Sequence, residues 1–329
     1  MRSSEKRRWF LGIDGGGSKT MAAVCGADGR IVALAAGEGS NPLSRPWPEV
    51  EKTLRALIRD CLRQAGAAAQ EVEGLFFGLA GADRPQVQTM IANAFQAEWG
   101  ERLQIDNDAV AALYSGTWGG PGIVLIAGTG SIACALTADG SRHRVGGWGY
   151  LVGDEGSGFD LGRQAVAAVL RAFDGRGEAT ALTGMLVSHY GVDTPDQLIA
   201  RLYGSPNPRR ELAGAAILVD RAAAAGDAVA GRLVRQAAAS LLELAETCLA
   251  KAGERLPVVL AGGLMAADTM LRRAVLELAR FEAVVPAAPP VTGCLAAALM
   301  RAGRPLDAAV RKNLCRYHPE GEANGGELV

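Results

Sequence analysis

Two stretches of the chain repeat one pattern, FLGIDGGGSKT at residues 10–20 and IVLIAGTGS at residues 123–131. Each is an apolar run followed by a glycine-rich turn with a hydroxyl residue and then by a second strand-like run. Both second runs end at the same kind of turn, at residues 27–29 and 138–140, each Ala-Asp-Gly. The repetition predicts a duplicated β-hairpin and two related halves. Glycine turns expose several backbone N–H groups, so we expect a polyphosphate to bind between them.

The composition indicates a large globular protein and excludes several classes of partner. The 329 residues suggest two domains, and 49% hydrophobic with 21% charged residues allows a sizeable core;. A formal net charge of −1 argues against nucleic acid or a membrane surface recognised through bulk charge;. No stretch approaches the ~20 apolar residues that cross a bilayer, and glycines interrupt the N-terminal apolar run, so we expect a cytoplasmic protein. Six scattered cysteines without a Cys-x-x-Cys pair favour reduced thiols;.

Hydrophobic periodicity predicts an α/β protein with two rounds of strands followed by helices. In the first round we expect strands at 9–14, 21–25, 31–35, 75–79 and 103–105 and helices at 50–65, 87–95 and 109–115. In the second we expect strands at 122–127, 132–137, 142–145 and 256–261 and helices at 164–173, 212–225, 227–251 and 292–301. The predicted domains are residues 1–117 and 118–316, followed by a disordered tail at 317–329;.

Two familiar nucleotide motifs are nearly matched, and both matches are misleading. Residues 12–20 resemble a Walker A loop, but Ser18 separates the last glycine from Lys19;. Residues 128–133 fit a dinucleotide fingerprint;. In each case a helix should follow the turn, whereas an Asp-Gly turn follows too early and predicts a hairpin.

Acidic residues at predicted strand ends are the candidates for chemistry. Asp14 ends a buried strand, where it could serve a Mg²⁺-polyphosphate or simply cap its own turn;. Residues 106–108, Asp-Asn-Asp, stand before a helix, where one of the three is expected to be the N-cap;. A further carboxylate there could accept a proton from a substrate hydroxyl.

The segment at residues 146–164 is the richest in functional signals. Its seven glycines forbid an ordinary helix or central strand and allow a ligand to approach the backbone;. Trp148 offers a flat face, and Asp154 and Glu155 offer acceptors for hydroxyl groups, a combination that suits a sugar. The alternative is a surface loop with Trp148 tucked into the core. Asn41, before a proline, is either a turn residue or a sugar contact;.

Taken together, the motifs resemble the N-acetylglucosamine kinase branch of the BadF-type ATPase family, within the actin, hexokinase and chaperone ATPase superfamily. The resemblance covers roughly residues 10–303, and its most specific part is the Gly-Trp-Gly to Gly-Asp-Glu-Gly-Ser-Gly segment. The motifs are Asp14–Ser18, Ser40–Asn41, Asn107–Ala109, Ala127–Ser131, Gly147–Gly149, Gly153–Ser157 and Leu260–Gly263. The resemblance implies two ribonuclease-H-like (actin-like ATPase) domains with ATP in an interdomain cleft.

The resemblance also implies roles for individual residues. Asp14 matches the Mg²⁺ position, and Asp108, not Asp106, matches the catalytic base. The implied ATP-binding residues are Gly15, Gly16, Gly17, Ser18, Gly128, Thr129, Gly130, Ser131, Ala213, Gly262 and Gly263. The implied sugar-binding residues are Asn41, Asp108, Gly147, Trp148, Gly149 and Asp154.

The expected function is therefore an ATP- and Mg²⁺-dependent kinase of an amino sugar, with the 6-hydroxyl of N-acetylglucosamine as the favoured acceptor. Glucosamine and N-acetylmuramic acid remain open, because they differ at C2 or C3. The rival from another class is a sugar-independent ATPase that couples its nucleotide state to a partner protein. A homodimer is implied by the resemblance alone. The helix that begins behind Asp108 is expected to favour its ionised form.

Overall fold

The computed structural model describes residues 8–317 and a short strand at 326–327. Its strands are β1 (Trp9–Gly15), β2 (Lys19–Gly26), β3 (Ile31–Glu38), β4 (Val72–Leu79), β5 (Leu103–Asp106), β6 (Gly122–Ala127), β7 (Ser131–Leu136), β8 (Arg142–Gly146), β9 (Val258–Ala261), β10 (Ala283–Val284), β11 (Arg316–Tyr317) and β12 (Gly326–Glu327).

The helices alternate with groups of strands in both halves of the chain. They are α1 (Trp47–Gln64), α2 (Pro85–Trp99), α3 (Asp108–Thr117), α4 (Gly158–Phe173), α5 (Leu182–Tyr190), α6 (Gln197–Tyr203), α7 (Pro208–Ala224), α8 (Ala228–Ala252), α9 (Gly263–Ala266), α10 (Met270–Leu278), α11 (Val291–Arg301) and α12 (Ala308–Leu314). Short 3₁₀ turns at Ala69–Glu71 and Gly100–Arg102 precede β4 and β5. Among the described helices, none is long and apolar enough to span a bilayer.

The described chain divides into two compact units. Unit 1 contains the chain up to Gly120 together with the segment from Pro286 onward, and unit 2 is Pro121–Val285. The first boundary lies close to the one predicted at residue 117. The predicted assignment of residues 286–316 to the second domain is wrong, because α11 packs on β1, β2 and β4 of unit 1. The predicted disordered tail lies outside the described residues, except for Tyr317 and 326–327, which are in strands.

Unit 1 is built on a mixed sheet with the order β12-β11-β3-β2-β1-β4-β5. β1 pairs antiparallel with β2, and β2 with β3, whereas β4 runs parallel to β1 and β5 parallel to β4. Because β1, β4 and β5 are parallel, their carboxyl ends meet at one edge of the sheet. Asp14, the loop after β4 and Asp106 therefore share that edge.

Unit 2 repeats the same topology. Its sheet order is β10-β9-β6-β7-β8, with β6 antiparallel to β7, β7 antiparallel to β8, and β9 and β10 parallel to β6. Written from the third strand of each unit, both sheets read third, second, first, fourth, fifth. The predicted duplication and the two predicted hairpins are thus confirmed, and both turns are followed by strands rather than by helices.

Close packing of α11 explains why the chain returns to unit 1. A Cβ at Gly12 of β1 would stand 2.7 Å from Cβ of Cys294, and a Cβ at Gly78 of β4 would stand 3.3 Å from its Sγ. The Cys294 thiol donates to the backbone carbonyl of Ile13 over 3.2 Å. The apolar core on this face of the sheet includes Phe10, Phe76, Leu295 and Leu299, all buried. Contacts of this kind contribute roughly 1.5–3 kcal/mol per fully buried large apolar side chain.

Candidate active site

The first glycine turn closes the β1–β2 hairpin of unit 1. The Gly16 N–H donates to the Lys19 carbonyl over 3.0 Å. A Cβ at Gly17 would have no neighbour within 4 Å, and one at Gly16 would meet only the Lys19 carbonyl oxygen, at 3.5 Å. Neither glycine has a positive φ. Packing within unit 1 therefore does not require glycine at either position, whereas close approach of a ligand to this backbone would.

The loop at residues 37–41 supports the first turn from one side. The Ser40 N–H donates to the Gly16 carbonyl over 3.0 Å, and a Cβ at Gly39 would overlap Gly17. The buried Thr20 hydroxyl lies 2.7 Å from the Glu38 carbonyl and 2.8 Å from the Ser40 hydroxyl. Ser40 is a supporting residue that the predicted site omitted, although it stands next to Asn41 in the quoted motif.

Asp14, to which the resemblance assigned the Mg²⁺ role, has a raised pKa. Its pKa is raised from 3.8 to about 7; burial is the largest cause, the nearby Asp108 carboxylate also raises it, and Lys19 lowers it. Asp14 lies at the end of β1, and its backbone pairs with Met21. A carboxylate that is held apart from water next to another carboxylate is stabilised by a cation, which fits the predicted metal-binding role.

Asp108, the predicted base, is the first residue of α3. Its pKa is raised from 3.8 to about 6; burial is the largest cause, the backbone N–H groups of Ala109 and Asp108 lower it, and the charge of Asp83 raises it. The expectation that the helix terminus would favour the ionised form is thus only half right. The helix N–H groups act in that direction, but loss of hydration is the larger effect. At neutral pH the group is still mostly ionised and can accept a proton.

The three polar residues at the start of α3, Asp106 to Asp108, have separate roles. Asn107 is the N-cap, and its side chain accepts a hydrogen bond from the Ala109 N–H at 2.9 Å. The Asp106 carboxylate accepts one from the Asn107 N–H at 2.7 Å. Asp108 is therefore not needed as the cap, which leaves its carboxylate available for a substrate.

Asn41 has a structural role that the sequence left open. Its side-chain oxygen accepts a hydrogen bond from the Leu43 N–H at 2.9 Å and so forms an Asx turn;. The same oxygen lies 3.2 Å from where a Cβ of Gly81 would be, and Gly81 has a φ of +83°. Asn41 therefore lies beside the loop after β4 that also carries Asp83, whose charge reaches Asp108.

The second glycine turn lies in unit 2 against the start of α4. The first N–H groups of α4, from Gly158 and Phe159, donate to the carbonyls of Gly128 and Thr129 over 2.8 and 3.3 Å. A Cβ at Gly128 would have no neighbour within 4 Å. As at the first turn, packing inside the unit leaves room at a glycine where a ligand is expected.

Two charged side chains also support this turn. The Asp154 carboxylate accepts a hydrogen bond from the Ser131 N–H at 3.3 Å and pairs with Arg209 Nη2 at 2.9 Å. A Cβ at Gly130 would stand 2.8 Å from both carboxylate oxygens and 2.9 Å from Arg209 Nη2. Asp154 is buried and has a φ of +64°. Asp154, the predicted sugar contact, therefore binds the second glycine turn and an arginine that the sequence did not single out.

Trp148 is exposed rather than tucked into the core. Its exposed fraction is 67%, and the Arg144 guanidinium lies 4.9 Å from its ring centroid. Gly147 and Gly149 flank it with φ values of +68° and +91°, a region that favours glycine. A Cβ at Gly153 would lie 3.3 Å from the Cβ of Trp148, so the exposed ring belongs to the loop that ends at Asp154.

The predicted adenosine-side residues lie near the second turn. Gly262 has a φ of +87°, and a Cβ there would stand 2.5 Å from the carbonyl oxygen of Ala127, the residue before Gly128. A Cβ at Gly158 would stand 3.0 Å from the Gly128 carbonyl oxygen and 3.2 Å from that of Ala213. Unit 2 thus brings Gly128, Ala213 and Gly262 together from three separate parts of the sequence.

The duplicated sheet with a glycine turn after each first strand defines the class of actin-like, two-domain ATPase folds. Within that class, the chain belongs to the BadF/BadG/BcrA/BcrD ATPase family, whose profile matches residues 11–300. The predicted family is therefore confirmed over nearly the whole described chain.

Individual proteins show which members of this family the chain is similar to. The chain is 35% identical to an N-acetylmuramic acid/N-acetylglucosamine kinase from Clostridium acetobutylicum, over 71% of this chain and 77% of that protein. It is 30% identical to an N-acetyl-D-glucosamine kinase from Dictyostelium discoideum, over 77% and 84%. Among solved structures, a candidate N-acetylglucosamine kinase from Chromobacterium violaceum matches with a TM-score of 0.72 and 31% identity, over 89% of this chain and 99% of that chain.

Proposed function

We propose that the protein is an ATP-dependent kinase that phosphorylates an amino sugar, with the 6-hydroxyl of N-acetylglucosamine as its preferred acceptor. The observation that carries the proposal is the pair of carboxylates at one edge of the first sheet, Asp14 and Asp108, whose pKa values are raised to about 7 and about 6. The named relatives, all sugar kinases, support the substrate class.

Asp108 is the proposed base. Its carboxylate accepts the proton of the sugar hydroxyl as the hydroxyl oxygen attacks the γ-phosphorus of ATP, and ADP leaves. A pKa of about 6 suits this task, because the group is ionised at neutral pH yet basic enough to take up a proton;. Asn107 already caps α3, so the carboxylate of Asp108 is not required as the cap.

Asp14 is the proposed residue for Mg²⁺. Within the described residues no group of three or more acidic, histidine or cysteine side chains could hold an ion alone. A site with Asp14 as its carboxylate ligand fits Mg²⁺, which proteins often bind through one or two carboxylates together with water and substrate phosphates. When bound, the ion would offset negative charge on the phosphates. Asp14 would orient the metal-nucleotide, and its raised pKa would fall on binding.

The two glycine turns are the proposed phosphate-binding elements. Each presents backbone N–H groups beside glycines where a Cβ has no close neighbour, at Gly17 in unit 1 and Gly128 in unit 2. Phosphoryl transfer requires little covalent work from the protein, so positioning and charge stabilisation by such groups supply most of the catalysis. Ser18, Thr129 and Ser131 belong to the same turns, and Ala213, Gly262 and Gly263 are proposed for the adenosine side.

Sugar binding is proposed for the glycine loop after β8 and for Asn41. The exposed ring of Trp148 offers an apolar face to the sugar, and Gly147 and Gly149 allow close approach. Asp154 can reach a sugar hydroxyl only by sharing its carboxylate with Arg209. The homodimer implied by the resemblance and the cytoplasmic location expected from the sequence form part of the proposal, and sedimentation of the purified protein tests the former.

The test is incubation of the purified protein with Mg-ATP and single sugars, following ADP release and sugar phosphate by mass spectrometry. The panel contains N-acetylglucosamine, N-acetylmuramic acid, glucosamine and glucose. The proposal predicts equal amounts of ADP and sugar phosphate, with N-acetylglucosamine giving the highest kcat/KM. ADP release that ignores every sugar would overturn it in favour of the partner-coupled ATPase, whereas a preference for N-acetylmuramic acid or glucosamine would correct only the substrate.

A further inference from the structure

Arg209 lies directly against the second glycine turn. Its Nη2 is 2.9 Å from Oδ2 of Asp154 and 2.9 Å from the position that a Cβ of Gly130 would occupy. Arg209 belongs to the first turn of α7, which Asn207 caps by accepting a hydrogen bond from the Arg210 N–H. The same helix carries Ala213 near the start of α4. The guanidinium is thus held beside the turn that we propose as the phosphate-binding element of unit 2.

The arginine is held in place but keeps unused donors. Asp154 is buried and binds it through Nη2, while the Tyr150 ring lies 5.4 Å from its guanidinium carbon. Within the described residues Nη1 has no hydrogen-bond partner, and Nε is buried without one. The side chain as a whole is 39% exposed. A guanidinium oriented by a carboxylate and a ring, with Nη1 unpaired among the described residues, can bind a second oxyanion;.

The backbone conformation of Asp154 is a second, independent indication. Its φ of +64° is uncommon for a residue with a side chain. Such a conformation costs energy and persists only where the surrounding structure maintains it. The conformation places the carboxylate where it accepts from the Ser131 N–H and also binds Arg209. Glycine at position 130 is needed because this ion pair occupies the space of a side chain. The ion pair and the turn therefore form one unit.

We propose that Arg209 binds the phosphate chain of the nucleotide at the Gly128–Ser131 turn, and that Asp154 is the residue that positions it. This inference rests on the proposed kinase function, since that function supplies the nucleotide. Arg209 adds a full positive charge beside N–H groups that carry only partial charge. The carboxylate of N-acetylmuramic acid offers the same oxyanion chemistry, and the experiment separates the two sources.

The test measures Mg-AMPPNP binding without sugar by titration calorimetry, for the wild type and for Arg209→Met, Asp154→Asn and the double variant. The double variant removes both charges, so no buried carboxylate is left unpaired. We expect Arg209→Met and the double variant to weaken Mg-AMPPNP by about 10-fold or more, and AMP by much less. The Mg-AMPPNP affinity of Asp154→Asn should lie between that of these variants and that of the wild type, because the positive charge of Arg209 remains but is no longer oriented.

The matched control is Arg232→Met, which removes the exposed pair of Arg232 with Glu178 elsewhere in unit 2 and should leave binding unchanged. Unchanged Mg-AMPPNP affinity in the folded double variant would overturn the proposal. A loss of affinity confined to N-acetylmuramic acid would also overturn the proposal, because it would assign Arg209 to sugar binding. Nucleotide binding is measured without sugar, so failure of the kinase assay and failure of this proposal give different results.

Discussion

The two glycine turns are one structural device supported in two different ways. The first, at Gly15–Ser18, is followed by the exposed Lys19 and lies beside Asp14, whose pKa is raised to about 7 by burial and by Asp108. The second, at Gly128–Ser131, is held by the start of α4 and by the Asp154–Arg209 pair. The sheets share their strand order. The comparison shows that both units keep the same strand order, while the carboxylates with raised pKa values lie near the first turn and the Asp154–Arg209 ion pair lies against the second.

Asp108→Asn should produce the largest effect, because it removes the proposed proton acceptor. We expect kcat to fall on the order of 10²-fold or more, with Mg-AMPPNP affinity nearly unchanged. Steady-state kinetics with N-acetylglucosamine and calorimetry with Mg-AMPPNP measure the two quantities. Asp106→Asn is the matched control, since its carboxylate binds the Asn107 N–H and should matter much less. Activity retained by the Asp108 variant would remove Asp108 from the base role.

Single methyl groups test whether both turns approach phosphate. A Cβ at Gly17 or Gly128 meets nothing in its own unit, so Gly17→Ala and Gly128→Ala should leave the melting temperature nearly unchanged. Each should raise KM for ATP by about 10-fold if a phosphate contacts that backbone. The control is Gly184→Ala, at an exposed helical position with an equally open Cβ. It should stabilise the fold by about 0.5–1 kcal/mol and leave the KM for ATP unchanged;. An unchanged KM for ATP in either turn variant would exclude that turn from phosphate binding.

Trp148→Ala should have the smallest effect of the substitutions. Because 67% of the residue is exposed, its loss should change stability by less than about 0.5 kcal/mol;. KM for the sugar should rise roughly 3- to 10-fold if the ring packs on it. Leu151→Ala, at an 81% exposed position in the same loop, controls for loss of apolar surface. Equal KM values for the two variants would remove Trp148 from the sugar site.

The hairpins were predictable from the sequence because their signals are local. Glycine turns and Asp-Gly turns close together leave no room for a helix, and β6 spans the predicted residues 122–127. The helical region after Gly158 was predicted in outline, but α5, α6, α10 and α12 were not separately identified. These helices run 9, 7, 9 and 7 residues, and segments so short carry little periodicity.

The rest depended on contacts between distant residues, which no local pattern reveals. Cys294 packs against Gly12, and this contact is one of those that place α11 on the sheet of unit 1. Arg209 sits in an unremarkable Pro-Arg-Arg run, and only its pairing with Asp154 makes it part of a site. The sign of the pKa shift of Asp108 was also hidden, since it depends on how far burial outweighs the helix N–H groups;.

The most direct test of the central claim, that a partly buried Asp108 is the base, is the pH dependence of kcat/KM for N-acetylglucosamine at saturating Mg-ATP. A base with a pKa of about 6 is lost by protonation, so kcat/KM should fall about tenfold per pH unit below that value and level off above it;. Asp83→Asn removes a charge that raises this pKa, and should therefore move the limb to lower pH. A profile that stays flat down to about pH 5, or a limb that Asp83→Asn moves upward, would contradict the account.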